Sequence, residues 1–394
     1  MVEVIIIGAG PVGLLMAAEL FRRGVSVEVL EQREQPWSAS RAIGVHAPVL
    51  AALEASGLTE ALLSRAIRVT RGEARSEGRV LGTVRFDRLS TRFPFVATLP
   101  QAATESVFSQ VSPYPRRGVS VTSLHPGADH VDLETSAGDR RAAFVVLAGG
   151  PRSRELVYRR ADTHTYPDRY LMTDAQVSAS HDPHTAVVNL DVGGVLESFP
   201  LPGQQRRFVT WDSPVASTDP EQQHLRMQRR LAETEVEMGE VTGFGVRRFV
   251  APRLRNHRLL VIGDAAHEVS PIGGQGMNLG LLDAATLAPV LTEWIRAGKP
   301  PREALRRWEQ NRLNSARRAA QLAALNTRLG RPAKAPTSAL RRNGVRLMLG
   351  PGAGTVFARA YAMGFDAAGR APAINQPGTL QRPPAVPPIR APRA

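Results

Sequence analysis

The sequence predicts an α/β fold: one domain on a parallel sheet, a second on an antiparallel sheet, and helices toward the C-terminal end. Three observations predict it. An apolar β-branched run, a helical stretch and a second apolar run follow one another at the start, over about 30 residues, the size of one β–α–β unit. Between residues 160 and 250, alternating runs are separated by Asp, Pro and Gly turns. Beyond Gly276, apolar residues recur at helical spacing over two long stretches.

The elements follow in order. Val4–Ile7 is β-branched throughout and ends at glycine, the pattern of a strand buried on both faces. A helix over residues 11–23 carries Leu14, Leu15, Ala18 and Leu20 on its apolar positions, and Gly24 stops it. Residues 25–30 form the second strand, with Glu31 at its end. Residues 145–147 are a further strand, before Ala148-Gly149-Gly150. Residues 186–190, 197–201 and 207–211 read as antiparallel strands, and residues 259–262 return to the buried parallel pattern. Gly276–Ala297 and residues 301–329 read as long helices. Residues 340–349 and 357–365 mix apolar side chains with arginines, which suits packing on the domain or contact with a membrane surface. From Ala371 onward the chain is proline- and arginine-rich and reads as a disordered tail.

Composition narrows the chemistry. The chain has 394 residues, 43% of them hydrophobic, enough for a large core. It has no cysteine, which excludes a disulfide scaffold, a thiolate zinc site, an iron–sulfur cluster and a catalytic dithiol. No metal site is expected. The formal charge of +14 comes from 50 Lys+Arg against 36 Asp+Glu, scattered with no like-charge block. That patterning describes a solvated arginine-rich surface rather than a nucleic-acid footprint. The start has no basic leader, and no stretch of about 20 residues is free of charge. A soluble cytoplasmic protein without an integral membrane segment is therefore expected, as a monomer or homodimer.

The first motif is Gly8-Ala9-Gly10-Pro11-Val12-Gly13. A lone G-x-G-x-x-G is weak, but this one follows a strand, opens a helix and precedes an acid, Glu31, at the next strand end. Gly8 permits a tight turn, Gly10 lets the backbone approach a pyrophosphate at the helix N-terminus, and Gly13 lets helix and strand pack closely. Glu31, with Gln32 beside it, can hold an adenosine ribose. The motif does not choose between NAD and FAD. The second motif, over residues 263–278, does. It reads Gly-Asp-Ala-Ala-His-Glu-Val-Ser-Pro-Ile-Gly-Gly-Gln-Gly-Met-Asn and runs from a strand end through a glycine loop to a helix start. Asp264 can hold ribityl hydroxyls, and the loop N–H groups and helix N-terminus suit the N1/O2 edge of a reduced flavin.

With these two motifs, Ser40-Arg41-Ala42-Ile43-Gly44-Val45-His46, and Leu99-Pro100-Gln101 followed by Glu105, the chain resembles the group A flavoprotein monooxygenases of the p-hydroxybenzoate hydroxylase type. The resemblance spans residues 1–365. It implies that Arg41 and Gln101 contact FAD and that Val121 lies against the adenine. It implies that Asp264 binds the ribityl chain, and that Pro271 and residues 273–278, among them Gly274, Gly276, Met277 and Asn278, form the loop at the flavin ring. One position departs: Gly149 stands where the family carries an aspartate. There is a single dinucleotide fingerprint, unlike flavoenzymes with a separate NAD(P)H domain, and no Trp-x-Trp-x-Ile-Pro segment of flavin halogenases.

The division implied is a Rossmann-like FAD-binding domain over residues 1–155, with inserted strands around 66–100, and a substrate-binding β-sheet domain over 156–250. The FAD-binding domain resumes over 251–300, followed by C-terminal helices over 301–370 and the tail over 371–394. The implied activity is FAD-dependent hydroxylation. NADH or NADPH reduces the flavin, O2 adds to give a C4a-hydroperoxide, and one oxygen passes to an aromatic or polyketide-like small molecule. A flavin epoxidase, a non-oxygenating FAD reductase or dehydrogenase, and an FAD-binding pseudoenzyme are the alternatives. The catalytic chemistry is borne by the flavin, with His46 and Pro271 as candidates beside it. Phe199, Leu201, Trp211 and Ile272 are candidates for the substrate pocket, with simple packing of the sheet as the competing reading for Phe199, Leu201 and Trp211. His267 reads as a buried structural histidine.

Overall fold

The computed structural model describes residues 2–36, 42–158, 162–232, 234, 236–350 and 353–363. Arg41, Phe365 and the tail from Ala371 lie outside the described residues.

Val4–Ile7 forms the centre of a six-stranded sheet. Val27–Glu31 and Phe144–Leu147 flank it, both parallel, with Val4 opposite Val27 and Phe144. Leu259–Val261 extends the sheet beyond Phe144–Leu147, and Arg116–Arg117 extends it beyond Val27–Glu31. Arg255–Asn256 closes one edge, antiparallel to Leu259–Val261. These parallel strands are almost wholly apolar because helices cover them. The helix Pro11–Arg22 is buried at every position from Gly13 to Leu20, so its surroundings are apolar on all sides. The long helix Gly276–Ala297 and the shorter Gln101–Ser109 both pack on it. Glu19 is the polar exception in that run, and Arg22 and Arg23 pair with it.

The second sheet has nine strands. From one edge the order is His267–Glu268, Thr242–Val250, His164–Val177, Gln205–Asp212, Gly194–Leu201, Thr185–Asp191, Arg71–Ser76 and Arg79–Arg85; Val236–Met238 pairs separately with His164–Val177. The strands expected at 186–190, 197–201 and 207–211 are all present and longer. His164–Val177 was not foreseen. Asp168 and Asp174 interrupt its apolar pattern, and their partners, Arg331 and Arg207, come from elsewhere in the chain. The hairpin Arg71–Ser76/Arg79–Arg85 joins this sheet through a parallel pairing of Arg71–Ser76 with Thr185–Asp191. The helix Arg302–Leu329 packs along Gly276–Ala297. Ala335–Met348 and Ala353–Tyr361 pack on Arg79–Arg85 and close that end of the sheet. Among the described residues, no helix is long and apolar enough to cross a membrane.

Candidate functional site

A cavity of 1310 Å³ lies between the two sheets and runs from the first glycine turn to the C-terminal helices. A single-ligand pocket is typically about 300–1,000 Å³. The space therefore accommodates a large ligand and a second, smaller one.

One half is built from glycine turns. Gly8 has φ +107°, and a Cβ there would stand 2.6 Å from the Ala148 carbonyl oxygen, so only glycine lets the two parallel strand ends meet. A Cβ at Gly13 would be 1.9 Å from the Gly8 carbonyl oxygen, the close helix–strand packing foreseen for that position. At Gly10 a Cβ would meet nothing within 4 Å, and the residue lines the cavity. That open backbone at a helix N-terminus has room for an anion such as a pyrophosphate, room that a side chain would fill. Glu31 is buried at the cavity edge. One carboxylate oxygen accepts from the Ala9 N–H at 2.8 Å, and the other accepts from the Arg33 N–H at 2.9 Å and its Nε at 3.0 Å. Burial alone would raise its pKa, but Arg33 and these N–H groups hold it below the usual value, so it is a carboxylate with one lone pair to spare, on the oxygen that faces Ala9.

The second motif forms the adjoining wall. Asp264 is exposed and lines the cavity within the turn Gly263–Ala265. Behind the turn, Asp283 is fully buried. It accepts from the Gly263 N–H at 3.0 Å, meets His267 Nε2 at 2.6 Å and accepts from Arg312 Nε at 2.7 Å. His267 is therefore a buried structural member. Asn278 is also set behind the wall. Its Oδ1 accepts from the His46 N–H at 2.8 Å, and its Nδ2 donates to the carbonyls of Gly44 at 2.8 Å and Gly274 at 3.1 Å. It braces the glycine loop rather than facing the space in front of it. His46 does line the cavity, and burial pushes it down to about 4, so it is neutral at pH 7.

Gly149 is close-packed: a Cβ would stand 2.8 Å from both Cβ and Oγ of Ser153. The turn that follows, Pro151–Leu156, is tied down by Arg154, which donates to the Asp264 carbonyl at 2.9 Å and to Glu268 at 2.7 Å. Arg154 also lies 4.4 Å over the Phe249 ring. An arginine thus anchors this loop to the second motif.

The other half is the inner face of the nine-stranded sheet, presenting Met172, Val188, Val195, Phe199, Val209 and Phe244. Ile272 from the glycine loop, Met277 from the start of the helix Gly276–Ala297 and Phe357 from a C-terminal helix complete it. Of the cofactor residues expected from the sequence, Gly8, Gly10, Pro11, Val12, Glu31, Gln32, Gln101, Val121, Asp264, Pro271, Gly274, Gly276 and Met277 line the cavity. Gly13 and Asn278 lie behind it, and Arg41 is outside the described residues. Of the substrate candidates, Phe199 and Ile272 line it. Leu201 is buried off the wall, and Trp211 donates to Asp168 at 3.1 Å instead of facing the space. The sequence reading missed Glu197, which lines this half. Strand alternation carries the signal: two residues before Phe199, it shares that residue's face. Among the described residues no cluster of His, Asp and Glu is arranged to hold a metal ion.

Comparison with known proteins places this geometry. A family described as "FAD binding domain" matches residues 1–323. The chain is 34% identical over 319 residues to the 6-methylpretetramide 4-monooxygenase of Streptomyces rimosus, covering 75% of this chain and 56% of that one. It is thus similar to little more than half the length of that curated relative. Among solved structures, the p-nitrophenol 4-monooxygenase of Pseudomonas putida has a TM-score of 0.83 at 24% identity, over 93% of this chain and 98% of that one, a likeness of fold. The anhydrotetracycline hydroxylase of Streptomyces rimosus has a TM-score of 0.74 at 27% identity, over 92% of this chain and 76% of that one.

Proposed function

The chain belongs to the FAD binding domain family, within the group A flavoprotein monooxygenases, and from that premise we propose that it inserts one oxygen atom from O2 into an aromatic or polyketide-like small molecule, with NADH or NADPH as reductant. The observation that carries the proposal is the unbroken cavity, glycine-built at one end and apolar at the other. Bound FAD supplies the redox chemistry that activates dioxygen.

In this proposal the turn at Gly8, Gly10 and Gly13 and the helix start at Pro11 and Val12 hold the pyrophosphate. Glu31 and Gln32 hold the adenosine ribose, and Val121 lies against the adenine. Gln101 and Asp264 reach the central part of the cofactor, with Arg41 proposed beside them. Gly276 and Met277 offer backbone N–H groups at a helix N-terminus to the ring edge that gains negative charge, while Pro271, whose carbonyl accepts from the Gly274 N–H at 2.9 Å, shapes the loop with Gly274. Asn278 fixes the shape of that loop. His46 stays uncharged and serves as a fixed wall, not as an acid at neutral pH. The sheet face with Phe199 and Ile272 receives the substrate. Val345, Leu349 and Phe357 shield that end from water, which protects a reactive oxygen donor. The p-nitrophenol named for one structural neighbour is a phenol, in keeping with an apolar pocket for an aromatic ring.

The test uses the purified chain. It should be yellow and release FAD on denaturation. A substrate from a phenol and polyketide panel should stimulate NAD(P)H oxidation, with label from isotopic O2 appearing in the product. Stimulated oxidation without label would make it a reductase, and a colourless protein that takes up no FAD would overturn the cofactor assignment.

A further inference from the structure

Among the described residues six acids are buried: Glu19, Glu31, Asp168, Glu197, Asp212 and Asp283. Five have an arginine within ion-pair distance, namely Arg22, Arg33, Arg331, Arg226 and Arg312 respectively. Glu197 has none. Among the described residues no hydrogen bond or ion pair reaches its side chain, and burial alone acts on its carboxyl, pushing it up to about 8. Its position is not incidental. It lies on the strand Gly194–Leu201 with Val195 before it and Phe199 after it on the same face, and Val209 opposite. All four line the substrate half of the cavity. The titratable groups that feel it are the phenols of Tyr170 and Tyr361, and burial holds both above their usual range, so they are neutral. An unpaired buried acid is costly to a fold, and a protein interior rarely keeps one without a partner. Here the carboxyl stands at the cavity wall, within reach of whatever enters the space in front of it.

Resting on the proposed reading of this half as an aromatic pocket, we infer that Glu197 is the polar anchor of the substrate, its carboxyl accepting a hydrogen bond from a phenolic hydroxyl on an otherwise apolar ring. The chemistry favours a phenol over an amine. A phenol offers one O–H and needs one acceptor. An ammonium offers three N–H donors, and the surrounding Val195, Phe199, Val209 and Ile272 would leave the others unsatisfied. The anchor would select the substrate and fix which ring carbon faces the flavin, so Glu197 would be a specificity-determining residue.

The test measures binding to the FAD-loaded protein through the visible flavin spectrum, with naphthol, its methyl ether and naphthylmethylamine as probes. Wild type should prefer naphthol over the ether by about 10-fold or more, the worth of one hydrogen bond to a buried polar group. Glu197→Leu should erase that preference while binding the ether within about threefold of wild type, since the apolar contacts remain. Glu197→Gln, which keeps an acceptor oxygen, should retain most of it. The melting temperature of Glu197→Leu without probe should equal or exceed that of wild type, whereas a merely structural acid would leave the variant less stable. A preference that survives in Glu197→Leu, or a wild type that favours the amine, overturns the assignment. Failure of the underlying reading looks different: no flavin is bound, or no probe shifts the flavin spectrum in any variant.

Discussion

Asp283 and Glu197 are both buried acids, and they are opposite in circumstance. Asp283, behind the glycine loop, accepts from the Gly263 N–H and Arg312 and meets His267. Burial would raise its pKa, but His267 and Arg312 hold it below the usual carboxylate value. Glu197, in the wall of the other half, has no such partner and is pushed up to about 8. The difference teaches how to read a buried acid. One whose two carboxylate oxygens both have partners within the protein is architecture, here fixing the turn that carries Asp264. One left unmatched at a cavity wall is poised toward a ligand.

The largest effect should come from breaking the matched acid. Asp283→Ala removes the carboxylate that neutralises the buried guanidinium of Arg312 and should cost about 3–5 kcal/mol in urea unfolding. A loss below about 1 kcal/mol would remove the contrast between the two sites. Next is the pH dependence of the unmatched acid. Its carboxyl rises from an ordinary 4.5 to about 8 in the folded state. Between those values the folded chain keeps a proton that the unfolded chain has released, so stability falls as pH rises, and the loss levels off above the folded value. Relative to Glu197→Gln, wild type should lose on the order of 5 kcal/mol across that window. Parallel pH profiles for the two would mean that Glu197 has a partner after all. Asp264, exposed on the glycine-built half, should act on the ligand and not on the fold. Asp264→Ala should weaken FAD binding by about 1.5–3 kcal/mol with an unchanged unfolding midpoint. Equal FAD affinity in fluorescence titration would displace the ribityl assignment. The smallest effect concerns glycine itself. Gly149→Ala sets a Cβ against Ser153 and should cost about 1–2 kcal/mol, and Ser153→Gly in the same chain should restore most of it. An additive pair would mean that the turn Pro151–Leu156 yields freely.

The glycine-built half was largely legible because its physics is local. Val4–Ile7 and Gly276–Ala297 fall where β-branched runs and helical periodicity place them. Gly8 and Gly13 are glycines for reasons that strand–turn–helix spacing already states. The sheet half was less legible because its polar residues are satisfied at long range. Asp168 within His164–Val177 looks like a strand breaker until Arg331 arrives from far along the chain. Trp211 was a pocket candidate by its strand, but its indole N–H is taken up by Asp168. Asn278 sits in a ligand-binding motif, yet its amide is spent on His46, Gly44 and Gly274, connections that no local pattern announces. Glu197 could have been found from Phe199 by counting two residues back, but whether an acid is paired is a property of the fold alone.

The parallel pairing of Arg71–Ser76 with Thr185–Asp191 has a kinetic consequence. Arg71 and Thr185, which bond side chain to side chain, are 114 residues apart in sequence. Parallel pairing cannot form through a tight turn, so a long loop must close before this edge of the sheet gains any contact. Assembly should accordingly be slow, with the hairpin waiting as an unpaired edge while the later strands fold. A fragment ending near residue 158 would keep that edge exposed and should aggregate. The two sheets are therefore inseparable in folding, however distinct they look in chemistry.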